Sequence, residues 1–145
     1  MNHKMTILFV AGWGSGAGKS TICLSLLEWL RAASRPCAYI KPVTQCEAVT
    51  PVAEYCQQHH IPCIPIGPVV FRSGVTNAAI GADNFLASRR DYLQQAVDAV
   101  RSFHVDHATV VVDGVGYPSV GQSSDCKVLG RGAPFYCTAR ICSVR

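Results

Sequence analysis

The sequence predicts an α/β domain built on a parallel sheet with helices on both faces. Three observations lead there. Thr6-Ile7-Leu8-Phe9-Val10-Ala11 is apolar throughout and runs straight into a glycine-rich loop. Helical spacing of apolar residues begins directly after that loop. A second apolar run, Ala108 to Asp113, follows a long amphipathic segment. Continuous apolar runs suit strands buried on both faces, which is the setting of a parallel sheet. Their alternation with helices gives the class.

The elements follow in order. Thr6 to Ala11 is the first strand, and Gly12 to Gly18 is a loop with four glycines. Ile22, Leu26, Leu27, Leu30 and Ala33 then share one helical face, and Pro36 marks the end of that helix. Ala38 to Val43 reads as a second strand. Pro51 to His60 reads as a short helix with Pro51 in its first turn. Ile61 to Val70 is apolar, but Pro62, Pro65 and Pro68 make it a poor central strand. Ser73 to Ala82 is loop. Ser88 to Phe103 is a helix, with Leu93, Ala96, Val97 and Val100 in period. Ala108 to Asp113 is a buried strand that enters the glycine-containing segment Gly114 to Gly121.

After Gln122 the composition turns polar, basic and cysteine-containing, with no convincing period. Val128-Leu129 and Phe135-Tyr136 are weak strand candidates. The expected organisation is one domain over residues 1–122 and an atypical tail over 123–145, with disorder one reading of the tail. The sheet would then be truncated at its C-terminal side. A truncated gene product, an altered reading frame and a shortened paralogue are all open as its origin.

At 145 residues the chain fits one domain. A domain of about this size buries roughly 68–70% of its unfolded surface, enough for a real core. Only 15% of residues are charged, against a usual level of about 25%, which excludes general disorder. No apolar run approaches the ~20 residues that cross a bilayer. Thr6 to Ala11 is too short for a signal-peptide core. A soluble, cytoplasmic protein without membrane contact is expected. The formal net charge is +4, but residues 1–122 hold nine Lys/Arg against eight Asp/Glu. The basicity belongs to the tail, so no nucleic-acid surface is expected. The eight cysteines form no C-x-x-C pair, and free thiols are the expectation.

The strongest chemical signal is Gly12-Trp13-Gly14-Ser15-Gly16-Ala17-Gly18-Lys19-Ser20-Thr21. Strand, loop and helix in that order form a phosphate loop. Its glycines let backbone N–H groups turn inward around phosphate oxygens. The helix N-terminus adds unpaired donors and a partial positive charge. Lys19 reaches the β- and γ-phosphates, and the Ser20 hydroxyl ligates Mg²⁺. Residues Gly14 to Thr21 are the candidate nucleotide cradle. The first glycine is Gly12, so five residues separate it from Gly18 where the commonest pattern has four.

Such a loop needs an acid at a nearby strand tip to hold Mg²⁺ or its waters. Asp113 is placed for it; the plainer reading is an acidic strand end with no metal. Lys41, in Lys41-Pro42-Val43, ends the second strand. In a parallel sheet the carboxyl ends of the strands face the ligand crevice, so Lys41 shares an edge with Lys19 and Asp113. It can neutralise an anionic substrate or a transferring phosphoryl group; otherwise it is a solvated surface lysine. Glu47 and Glu54 are secondary acids, more simply solvated than ligating.

These three motifs, Gly12 to Thr21, Ile40-Lys41-Pro42-Val43 and Val111-Val112-Asp113-Gly114-Val115-Gly116, together resemble the dethiobiotin synthetase-like P-loop NTPases. The likeness covers residues 5–122. It is similar in kind to the N-terminal region of long phosphate acetyltransferases and to the cobyrinic acid synthases. The resemblance implies a three-layer P-loop fold and an enzyme dependent on ATP and Mg²⁺ that phosphorylates a small anionic carboxylate or carbamate. It implies that Lys19 and Lys41 stabilise the phosphoryl group and the acceptor, and that Ser20 and Asp113 serve Mg²⁺. Ser15, at the family's hydroxyl position in the loop, would contact the transferred phosphate or the acceptor. A homodimer is implied as well. Gly14 stands where dethiobiotin synthetases usually carry Asp, and Asp113 where Glu is usual. Lys41-Pro42-Val43-Thr44-Gln45 is closer to the phosphate acetyltransferase arm. The alternatives are therefore a non-catalytic nucleotide-binding regulatory module and an inactive truncated paralogue.

Other residues carry weaker signals. Cys56, His59, His60 and Cys63 have zinc-like chemistry but no obvious second pair. Trp13 either stacks on a ligand or covers the loop. Arg89 and Arg90 are most simply a solvated helix face, with contact to an anionic substrate the alternative. No chemistry is assigned to His104 or His107.

Overall fold

The computed structural model describes residues 5–12, 16–44, 47–70, 85–103, 108–114 and 140–144. Its strands are β1 (Thr6–Ala11), β2 (Cys37–Ile40), β3 (Val43–Thr44), β4 (Cys63–Ile64), β5 (Val69–Val70), β6 (Thr109–Asp113) and β7 (Arg140–Val144). Its helices are α1 (Lys19–Ala32), α2 (Pro51–Gln58) and α3 (Phe85–Arg101). The main sheet has the order β4-β2-β6-β1-β7. Its first four strands are parallel, and β7 joins β1 antiparallel. β3 and β5 form a separate two-stranded parallel ladder.

β2 and β6 are buried along their whole length, as continuous apolar runs demand. Alternation sorts their side chains between two cores. Val10, Tyr39 and Val111 face α1 and α2, packing with Cys23, Leu27, Leu30, Val52, Ala53 and Cys56. Ala38, Ile40, Val110 and Val112 face the other way, against Ala99 and Val100 of α3 and Phe103 beyond it. The result is the expected helix–sheet–helix sandwich. α2 begins as its sequence predicts, with Pro51 at its start and the Thr50 side chain accepting from Ala53 N at 3.2 Å. The Arg31 guanidinium grips the Glu28 carboxylate, which also accepts from the Tyr55 hydroxyl, tying α1 to α2. That pairing, Arg31 first and Tyr55 second, holds the Glu28 carboxyl down at about 2.

Four expectations need correction. The buried stripe of α1 is Lys19, Cys23, Leu27 and Leu30. Ile22 is exposed, because Cys23 and not Ile22 lies four residues before Leu27 on the sheet-facing side. β1 is not buried throughout: Val10 is fully covered beneath α1, while Phe9 is 38% exposed. Ala38 to Val43 is not one strand, since Lys41-Pro42 separates β2 from β3 and sends the chain into the second sheet. Ile61 to Val70, by contrast, is the poor strand its prolines predict: it yields only the two-residue strands β4 and β5, since the prolines withhold ladder donors. The segment beyond Gln122, read without a strand at its far end, supplies β7. An antiparallel partner needs only an extended backbone, and Arg140–Val144 pairs with Ile7 to Ala11.

Candidate functional site

The loop after β1 turns back through Gly16 and Gly18, whose φ angles of 75° and 77° lie in the left-handed region that side chains with a Cβ resist. Gly18 is the N-cap of α1, and no side chain caps it. Ile22 N donates to Gly18 O at 3.0 Å, so the helix is regular from its first turn. No acid occupies that turn. The positive end of the helix dipole and its leading N–H groups therefore stand toward the loop.

Lys19 is the first residue of α1 and is only 7% exposed. Its aliphatic stem lies back over Gly12: a Cβ placed on Gly12 would come within 2.9 Å of Lys19 Cγ and 3.0 Å of Cδ. Gly12 is thus the floor on which the lysine stem rests. Its place at the first helical position sets the residue directly behind the loop.

Asp113, the last residue of β6, is fully buried. Its Oδ2 accepts from Tyr39 hydroxyl at 3.1 Å and Ser20 Oγ at 3.2 Å, and Lys41 Nζ lies 3.5 Å away. Ser20 comes from the first turn of α1, Tyr39 from β2, and Lys41 from just past its end. Parallel register explains the meeting: Tyr39 lies beside Val111 and Ile40 beside Val112, which brings Lys41 level with Asp113. Asp113 Oδ1 is buried too and has no hydrogen-bond partner among the described residues. A bare buried carboxylate oxygen leaves its desolvation uncompensated, so it marks a place where a cation or its water fits.

The ground under this cluster is apolar. Cys23 lies below it, where burial first and the Asp113 charge second push its thiol far above the ordinary range. The same two causes raise the Tyr39 phenol, so Tyr39 remains a neutral donor. Burial also pushes Cys56 up to about 12 and raises Cys37 and Cys63. All four are free thiols. Alkylation of the folded protein at neutral pH, mapped by peptide mass, is expected to leave Cys23, Cys37 and Cys56 unlabelled until denaturant is added. Rapid native labelling of Cys23 would contradict the packing under α1.

The structure thus brings Lys19, Ser20, Lys41 and Asp113 to one edge. Ala17 is half-buried beside Gly12, and Thr21 is exposed on α1. Trp13, Gly14, Ser15, His104 and His107 lie outside the described residues. Glu47 and Glu54 are exposed, as is Arg90 on α3. Of Cys56, His59, His60 and Cys63, the two thiols adjoin each other, but among the described residues no three His, Cys, Asp or Glu side chains gather to hold a metal. Sequence reasoning missed Tyr39 as a site residue. Its ring reads as core, and only the register of β2 on β6 shows that its hydroxyl reaches Asp113.

A strand of the parallel sheet, a left-handed glycine loop, a lysine opening the helix and a hydroxyl bonded to a second strand-tip acid define a P-loop nucleotide-binding protein. The family model described as an AAA domain matches residues 6–129, running past Gln122. The chain belongs to that family, which is P-loop NTPase-like and includes dethiobiotin synthetase. Comparison with curated proteins and with solved structures gave no match. Among the described residues, no helix is long and apolar enough to cross a membrane.

Proposed function

We propose that the protein uses ATP and Mg²⁺ to phosphorylate, and so activate, a small carboxylate or carbamate. The convergence of Ser20 and Lys41 on Asp113 beside the loop is the observation that carries this reading. The backbone of Gly14 to Thr21 cradles the phosphates, and the Lys19 ammonium meets the β- and γ-phosphate oxygens. Ser20 and Asp113 hold the cation; the orphaned Asp113 Oδ1 suits it. Bound Mg²⁺ supplies charge neutralisation between the phosphates. An acceptor oxygen attacks the γ-phosphorus as the bond to the β–γ bridging oxygen breaks, and ADP leaves. Lys41, 21% exposed at the rim, attracts the anionic acceptor and offsets the charge on the moving phosphoryl group. Ser15, by its place in the loop, steadies that group.

Lys41→Ala tests the assignment. With a panel of small carboxylates, and diamines with bicarbonate, acceptor-dependent ADP release should fall by roughly 10²-fold or more, as on loss of one preorganised donor. ADP affinity should change little. A variant that turns over its acceptor normally would sink the proposal. The run Lys41-Pro42-Val43-Thr44-Gln45 favours a second reading, a regulatory nucleotide-binding module. That module would bind nucleotide and show no acceptor-stimulated release with any of the panel.

A further inference from the structure

We infer that Tyr39 is a positioning residue, which turns Asp113 so that Oδ2 faces inward and Oδ1 is presented to the cation of the bound nucleotide. This rests on the nucleotide and Mg²⁺ reading above. Among the described residues Asp113 Oδ2 meets three groups, and they differ in what else they have to do. Ser20 is the P-loop hydroxyl that ligates the cation, so its hydroxyl is redirected when nucleotide binds. Lys41 sits at the rim on a flexible stem and is set to meet an anionic acceptor. Tyr39 is wholly buried, and its ring belongs to the core between the sheet and α1 that also holds Val10, Val111, Cys23 and Leu27. Its hydroxyl also hydrogen-bonds with the Thr50 side chain, ahead of α2. The Tyr39 donor is therefore the one that holds before and after binding. A carboxylate pinned through one oxygen by a rigid phenol keeps its other oxygen in one direction, and that oxygen is the unpartnered Oδ1.

The consequence is a separation of effects. Among the described residues the Tyr39 hydroxyl bonds Asp113 and the Thr50 side chain, so it should govern the contribution of Mg²⁺ to nucleotide binding and not phosphate binding itself. Calorimetric titration of ADP, once in EDTA and once in Mg²⁺, measures that contribution as the ratio of the two dissociation constants. Tyr39→Phe keeps the ring and removes only the hydroxyl. The metal-free constant should stay within about twofold of wild type, while the ratio falls roughly tenfold or more, the size expected for one hydrogen bond to a charged group. In an Asp113→Asn background the ratio is already lost, and adding Tyr39→Phe should change it no further. That background keeps the inference testable if the single variant is unstable. An unchanged ratio in Tyr39→Phe overturns the inference alone. Equal weakening in both buffers overturns it too, since Tyr39 would then be a general prop of the loop. Wild-type protein that binds no ADP in either buffer overturns the nucleotide reading along with it.

Discussion

Gly67→Ala is expected to destabilise the protein by about 1–3 kcal/mol and to displace Lys41 from Asp113. Gly67 is buried where β5 is about to pair with β3, and it approaches the backbone at the end of β2 more closely than any side chain allows. A Cβ there would lie 2.2 Å from the Lys41 carbonyl oxygen and 2.6 Å from both the carbonyl carbon and oxygen of Pro42. These are backbone atoms with no rotamer to escape into, so the two segments must part. The same segments are joined by Val69 N donating to Pro42 O at 3.3 Å and by the pairing of Val43 with Val69. Parting them loosens that short ladder and moves Lys41 with it. The thermal midpoint should fall by roughly 4–12 °C. Acceptor-dependent turnover should fall further than the folded fraction does. A Gly67→Ala protein with wild-type midpoint and turnover would mean that the Lys41 segment is not held from this side.

Lys19→Ala should weaken nucleotide binding by roughly 10–150-fold, the range for losing a hydrogen bond between charged partners. The folded protein should tolerate the change, for Lys19 opens α1 and does not interrupt it. Lys19→Met separates the two roles of the side chain. It keeps the stem that rests on Gly12 and removes the ammonium group. Both variants should lose ADP affinity alike if charge is what matters at the loop. Recovery of affinity in Lys19→Met would assign the effect to packing on Gly12 and contradict the phosphate role.

The parts of this molecule legible in its sequence are those whose chemistry and backbone demand coincide. Gly16 and Gly18 are needed for left-handed turns, Lys19 follows at once, and an apolar strand precedes them; few other folds ask for all three. Val110 to Val112 are apolar at every position because β6 is covered on both faces, so Asp113 stood out as the place where the pattern stops. Tyr39 was not legible as a site residue because its ring serves the core, and only the register of β2 on β6 shows what its hydroxyl reaches. Cys23 lost to Ile22 in the α1 stripe because Ile is the more apolar residue, whereas the helix geometry that buries Leu27 and Leu30 selects Cys23. Arg140–Val144 gave no strand signal because pairing with β1 uses backbone groups that every sequence has. Gly67, between Pro65 and Pro68, drew no attention as a sequence position, and only its close approach to the Lys41 and Pro42 backbone makes it a determinant of the site.

The most direct test of the central claim is thermal unfolding of the full chain with and without Mg²⁺-ATP, beside Lys19→Ala. Nucleotide at about 100 times its dissociation constant should stabilise the wild-type protein by roughly 2.7 kcal/mol. The midpoint should rise by several degrees, and the rise should vanish in Lys19→Ala. A cooperatively unfolding wild-type protein whose midpoint does not move, or a rise that persists without Lys19, would contradict nucleotide binding at this loop.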